Sequence, residues 1–257
     1  MPITKVTTYK KGSKSNVDRR QTRAIRTLKK KVKALEAPVE LKYVYTLVQQ
    51  PEIGGTSATS LTLNLIRPWD SSSTTSNNER LKSREGSTIA MRRYMLKGKL
   101  KIPFPPAGST VDREMATRVR FIYVYYPDEP PGNNIADILE TSTGNDYVDY
   151  FYKRNGRLKY TVLKDVIFSL EPNYWNYSDP ATPTNESYSG MASTKPAFVT
   201  IRHSLDLTKL PDEGRARWKD ATQVPAMGQL CLYTMSDNPD FDVDFTGTGQ
   251  ITFHDSA

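Results

Sequence analysis

From residue 40 onward, apolar side chains recur with a period of two. Eight stretches carry the pattern, at 40–49, 59–67, 87–102, 117–126, 157–170, 196–207, 228–235 and 248–254, each bounded by clusters of Pro, Gly, Asp or Ser. Leu41, Tyr43, Tyr45 and Leu47 share a face, as do Leu61, Leu63 and Leu65, and Val199, Ile201 and Leu205. Alternation of this kind predicts strands with one side on a core and the other in water. In 87–102 the even positions Ala90, Tyr94, Leu96, Leu100 and Ile102 fall on one side, and Arg93, Lys97, Lys99 and Lys101 on the other. The connections 68–86, 127–156, 171–195 and 208–227 are long for a compact domain and are expected to carry contacts. A short helix is expected at 135–140, after the turn Pro130-Pro131-Gly132, and Gly247-Thr248-Gly249 reads as a strand connector. Eight antiparallel strands in two sheets predict an all-β fold, a single jelly-roll sandwich over 39–257.

Before residue 38 the pattern changes. Residues 1–17 are polar and basic with no periodicity, and are expected to be disordered when free. Ile25, Leu28, Val32 and Leu35 then recur at helical spacing, with Asp18 as N-cap and Ala37-Pro38 as a stop, predicting a basic amphipathic helix over about 18–36. Charge sharpens the division. The first 33 residues hold twelve Lys or Arg against Asp18 alone, a net +11 in a chain of formal charge +8, so the remainder is −3. A concentrated cationic arm (1–38) on a nearly neutral body is the footprint of polyanion binding driven by counterion release.

Lys10, Lys11, Lys14, Arg19, Arg20, Arg23, Arg26, Lys29, Lys30, Lys31 and Lys33 are therefore the candidate nucleic-acid-binding residues. They match no base-reading motif, which points to packaging by phosphate contact. Lys29-Lys30-Lys31-Val32-Lys33, with Arg19-Arg20 upstream, also has the character of a nuclear import signal, implying a host import receptor as a partner. Arg93, Lys97, Lys99 and Lys101 either extend the binding surface or guard a strand edge against pairing.

Other chemistries find little support. No stretch has the roughly 18 apolar residues of a membrane span, and the N-terminus lacks a signal peptide's apolar core, so no membrane association or export by that route is expected. A lone cysteine, Cys231, excludes an internal disulfide and a Cys-based zinc cluster. Asp240, Asp242 and Asp244 have the first spacing of an EF-hand, but Phe245 and Ile251 occupy the positions of its Gly and bidentate Glu, so no metal site is assigned. His203, on the apolar face of its strand, is expected to be a hydrogen-bonded core residue. No catalytic motif occurs, and neither catalysis nor a cofactor is expected. Tyr174, Trp175 and Tyr177, in a long loop, are candidate anchors for contacts between subunits.

Four blocks, GSTIAMRRYMLKGKLKI (86–102), RVRFIYVYYPDEPPGNNIADIL (118–139), LKYTVLKDVIFSL (158–170) and GQLCLYTMSDNPDFDVDFTGTGQITFHD (228–255), resemble in order the core strands of capsid proteins of circular, Rep-encoding single-stranded DNA viruses, including geminivirus-like coat proteins. The likeness spans most of the chain. It lacks the Cys- and His-rich segment of geminivirus coat proteins, which implies a different branch. The resemblance implies an icosahedral shell, of sixty copies in its smallest form, that packages single-stranded DNA and passes through the host nucleus before residing in the virion. The coat protein of a small RNA virus, a non-structural nuclear shuttle protein and a carbohydrate-binding jelly roll are the alternatives, since Lys and Arg bind either polymer and the loop aromatics suit a sugar.

Overall fold

The computed structural model describes residues 21–29, 41–54, 58–69, 77–103, 116–129, 134–140, 148–153, 160–171, 177–178, 187–188, 198–219, 221–238 and 242–255. The chain divides into two compact units, residues 1–40 and 41–257. In the first, residues 21–29 are helical, inside the predicted 18–36 span. The proposed cap at Asp18 and stop at Ala37-Pro38 lie outside the described residues.

The second unit is all-β, and its strand order identifies the architecture. Its main strands are β1 (Leu41–Ile53), β2 (Thr59–Thr62), β3 (Thr88–Lys101), β4 (Thr117–Tyr126), β5 (Thr161–Leu170), β8 (Phe198–Asp206), β10 (Gln229–Ser236) and β11 (Val243–Asp255). One sheet runs β1-β11-β3-β8, with β9 (Arg215–Arg217) also on β3, and the other runs β2-β10-β4-β5. All these pairings are antiparallel. Successive main strands switch sheets at every step except from β4 to β5, and the first and last strands, β1 and β11, are neighbours, as in a jelly roll. Outside this frame, β6 (Tyr177–Ser178) pairs with β7 (Ser187–Tyr188).

All eight predicted strands exist, with shifted ends. The predicted 59–67 strand stops at Thr62 because Asn64 takes over from the ladder. Its side chain donates to the Gly228 carbonyl at 2.9 Å and accepts from the Leu230 N–H at 3.1 Å. The predicted 248–254 strand begins earlier, at Val243, and Gly247-Thr248-Gly249 lies inside it, not at a turn. The physical reason is aromatic packing. A Cβ on Gly98 or Gly247 would lie 2.6 or 2.7 Å from the Phe245 ring, and one on Gly249 would run into the Tyr94 hydroxyl. The glycines make room for rings, a recognised device in sheets. The expected helix at 135–140 is a short 3-10 turn, Ile135–Asp137, capped by Asn134.

The interior lies between the sheets. Phe121 on β4 meets Phe245 on β11 edge to face at 5.2 Å and Phe168 on β5 at 5.4 Å. Ile89, Met91, Tyr94, Leu96, Leu100, Val119, Tyr123, Leu232 and Phe253 fill the surrounding volume with essentially no exposure.

The two outer faces differ. The face of β4 and β10 is covered by the chain's own segments, where Ile135, Ile138, Leu139 and Val148 pack on Ile122, Val124, Tyr126, Tyr233 and Met235. Both strands are consequently buried on both sides, which explains the nearly unbroken apolar runs FIYVYY and LCLYTM. Arg118 and Arg120 fasten the cover. Arg118 bonds Asp149 in a bidentate pair, while Arg120, almost fully buried, pairs with Asp165 and donates to the carbonyls of Val148 and Tyr150.

The expectation for β1 is inverted. Leu41, Tyr43, Tyr45 and Leu47 are the exposed face, at 53, 38, 59 and 66 %, and Lys42, Val48 and Gln50 are buried. Lys42 lies on the inner side because carboxylates await it there. Its Nζ is 2.7 Å from both Glu85 and Asp255 and donates to the Ser83 carbonyl. Burial disfavours its charge, but the hydrogen bonds that it donates to Asp255 and Glu85 outweigh that and hold its pKa above the ordinary lysine value. Glu85, held by Arg80 and then Lys42, is pushed down to about 2.

Two substitutions test this core. Lys42→Ala leaves Asp255 without its ion-pair partner and Glu85 with Arg80 alone, and should lower unfolding free energy by about 3–5 kcal/mol. Gly247→Ala should cost about 1–3 kcal/mol by driving a methyl into Phe245 and the Lys97 carbonyl. Urea denaturation followed by tryptophan fluorescence measures both, and a loss below 0.5 kcal/mol, on the order of error at a surface site, would contradict either account.

Candidate nucleic-acid interface

The predicted binding residues fall in two places. Of the arm set, Arg23, Arg26 and Lys29 are in the described helix, all exposed, while Lys10, Lys11, Lys14, Arg19, Arg20, Lys30, Lys31 and Lys33 lie outside the described residues. Ile25 and Leu28 are 54 and 59 % exposed, so the helix presents apolar and basic groups together. Val32 and Leu35 of the same predicted stripe lie outside the described residues, as do Tyr174 and Trp175.

The second set is on the jelly roll. Arg93, Lys97, Lys99 and Lys101 project from β3 on the side away from the core. The strand lies between β11 and β8, so these cations do not guard an edge. Clean alternation on β8 and β11 brings further groups to the same face. Cross-strand register sets them in rows: Tyr43, Thr252, Arg93 and Asp206; Tyr45, Gln250, Met95 and Ser204; Leu47, Thr248, Lys97 and Arg202; Gln49, Thr246, Lys99 and Thr200; then Asp244, Lys101 and Phe198. Tyrosine and leucine line the β1 side, hydroxyl and amide groups the middle, and cations the β3–β8 side. Arg202, which the sequence reading passed over, belongs to the basic set, and its alternation with Ile201 and His203 was the available signal.

Local contacts show how these groups are held. Lys101 pairs loosely with Asp244 at 3.6 Å. Arg93 donates to Ser204 Oγ at 2.8 Å, and Lys99 Nζ sits 3.9 Å above the Phe198 ring. Tyr43 and Tyr45 contact edge to face at 5.6 Å, and Gln250 donates to the Tyr45 hydroxyl at 3.0 Å. Among the described residues no carboxylate pairs with Lys97, Lys99 or Arg202.

Other candidates resolve as structural groups or fall away. Cys231 is a buried thiol on β10 whose pKa burial pushes up to about 12, which makes it a poor nucleophile. Asp242 and Asp244 join no cluster of potential metal ligands among the described residues, and Asp240 lies outside them. A cavity of about 370 Å³ beside β1 is lined by Val44, Leu65, Arg67, Glu79, Lys82 and Gln223 among others, with no nucleophile–base pair. No described helix is long and apolar enough to cross a membrane.

His203 is a core residue as expected, 9 % exposed, with Nδ1 2.8 Å from the Tyr123 hydroxyl and its ring stacked on Phe168.

No protein family matches the chain, and no curated protein gives a significant sequence match. Among solved structures, the chain is similar to a chain of the cowpea mosaic virus top component, a naturally occurring empty particle, with 12 % identity, a TM-score of 0.34, and coverage of 83 % of this chain and 90 % of that one. An overlap this loose carries no argument, and the jelly-roll assignment stands on strand order.

The environment of His203 predicts a pH dependence. Burial, and secondarily the Lys164 charge, lower its pKa to about 4. An unfolded histidine titrates near 6.5, so between those values the unfolded state binds the extra proton. This contribution is therefore complete above about pH 6.5 and fades as pH falls toward 4, by on the order of 1–3 kcal/mol. Denaturation series from pH 7 to 4 should show that loss reduced in His203→Gln, and an unchanged pH slope in the variant would refute the assignment.

Proposed function

We propose that this chain is a non-enzymatic viral capsid protein whose jelly roll tiles a closed shell and whose basic arm neutralises packaged single-stranded DNA. The observation that carries the reading is the concentration of +11 in the first 33 residues, against −3 over the rest of the chain, nearly all of it jelly roll. A +11 segment repels itself and its copies, and a packaged polyanion removes that cost. The antiparallel sandwich supplies a rigid tile for contacts between copies. Apolar surface left exposed on a lone subunit away from the outer face of the β1-β11-β3-β8 sheet, such as Phe151, Ile167 and Val224, fits a protein that works as a symmetric homo-oligomer. In this reading, Lys29-Lys30-Lys31-Val32-Lys33 engages a host import receptor before assembly in the nucleus, and the virion is the final location.

Electron microscopy and sedimentation of the full-length protein, beside a form beginning at Pro38, test the proposal. Uniform shells containing nucleic acid are expected from the full chain, with empty, aberrant or no shells from the shortened one. DNase sensitivity of the released nucleic acid is expected, and RNase sensitivity would instead make it an RNA virus coat. A full-length protein that stays monomeric or dimeric with nucleic acid across salt and pH would overturn the capsid reading in favour of a shuttle protein. Binding of the full chain to oligonucleotide should weaken with salt at a logarithmic slope of roughly −8 if the whole arm engages.

A further inference from the structure

The outer faces of the two sheets contrast. One is closed by Ile135, Ile138, Leu139 and Val148, whereas the other, formed by β1, β11, β3 and β8, has no such cover among the described residues and is chemically divided. Two features of it point to an anionic ligand. Exposed Arg93, Lys97, Lys99, Lys101 and Arg202 outnumber Asp206 and Asp244 on the same face. Lys97 and Arg202 stand directly opposite each other in the β3–β8 register, both exposed and without a carboxylate partner among the described residues. Like charges so placed destabilise a sheet, and an anion bridging them reverses the sign.

We propose that this open face holds an extended single-stranded polynucleotide, with phosphates on Lys97, Lys99 and Arg202 and bases stacked on Tyr43 and Tyr45. The inference rests on the packaging function and assigns it a second site, on the jelly roll itself. Lys97, Lys99 and Lys101 alternate on one face, about 6.7 Å apart, so a polynucleotide backbone running along β3 can offer them successive phosphates. The aromatic row selects the single strand, because only unpaired bases expose faces to stack on tyrosine. The tyrosine row lies two strand spacings from β3, about 10 Å across the sheet, on the far side of the Thr246, Thr248, Gln250 and Thr252 strip. Paired cations and aromatic platforms are how sequence-tolerant single-strand binders work.

Fluorescence anisotropy of full-length protein with labelled oligo(dT), and with a duplex of equal length, tests the assignment. Tyr43, Tyr45, Lys97 and Arg202 are exposed, and threonine keeps strand propensity, so the sheet variants should retain wild-type melting. Tyr43→Thr/Tyr45→Thr should weaken oligo(dT) binding about tenfold or more while barely changing duplex binding, and Tyr43→Phe/Tyr45→Phe should restore it. Lys97→Thr/Arg202→Thr should weaken oligo(dT) binding and make the salt slope shallower by about 1.4. If both threonine variants bind as the wild type does while Arg19, Arg20, Arg23 and Arg26 changed to Gln abolish binding, the sheet site is refuted and the arm's function stands. If the sheet variants alter sedimentation but not affinity, the face is a contact between copies and the site is likewise refuted. Failure of the wild type to bind either polymer would overturn the packaging function and this site together.

Discussion

The contact between Phe121 and Phe245 joins the two sheets, and the space for it exists because Gly98 and Gly247 carry no Cβ. Everything else in the sandwich follows from that approach. Tyr94, Leu96 and Leu100 line the inner side of β3, so Lys97, Lys99 and Lys101 must point outward with the period of a strand. Register then carries the constraint across the sheet, and the side chains of β11, β1 and β8 fall into rows with those of β3. A basic surface is in this sense a product of the core behind it.

The same sandwich treats its two outer faces differently. Over β4 and β10, the chain supplies its own cover and fastens it with Arg118 and Arg120, whose partners Asp149, Asp165 and the carbonyls of Val148 and Tyr150 all belong to flanking segments or the neighbouring strand. Over β1, β11, β3 and β8, no comparable cover occurs among the described residues, and the exposed side chains shift from tyrosine and leucine to lysine and arginine across about three strand spacings. A protein that worked alone in water would gain little from leaving Leu47 two-thirds exposed. A subunit that meets a polymer, or copies of itself, has a use for that surface.

Charge segregation adds the second element. The arm carries the whole excess of positive charge and the jelly roll is slightly negative, yet the open face of the sheet concentrates cations locally. Tail and face would act at different levels, the tail by bulk neutralisation and the face by fixed spacing. Lys42 shows the opposite use of a cation. Buried between Glu85 and Asp255, it ties the start of β1 to the end of β11 and to the segment preceding β3, and it is unavailable to any ligand.

Much of this was legible in the residues alone. Alternation located all eight main strands, because strand geometry imposes its period on any sequence with a half-buried face. The +11 arm, the core position of His203 and the shared face of Arg93, Lys97, Lys99 and Lys101 were equally readable, since each depends only on local spacing. What required the tertiary structure was the choice between faces. Leu41, Tyr43, Tyr45 and Leu47 look like a core row by hydropathy, but β1 turns Lys42 inward because its counter-charges arrive from residues 85 and 255, which no local pattern reveals. Gly247-Thr248-Gly249 looks like a turn until Phe245 and Tyr94 are seen to need the room. Arg202 joined the basic face only when register set it opposite Lys97. Periodicity is a property of the chain, whereas which side is buried depends on what packs there from distant parts of the sequence.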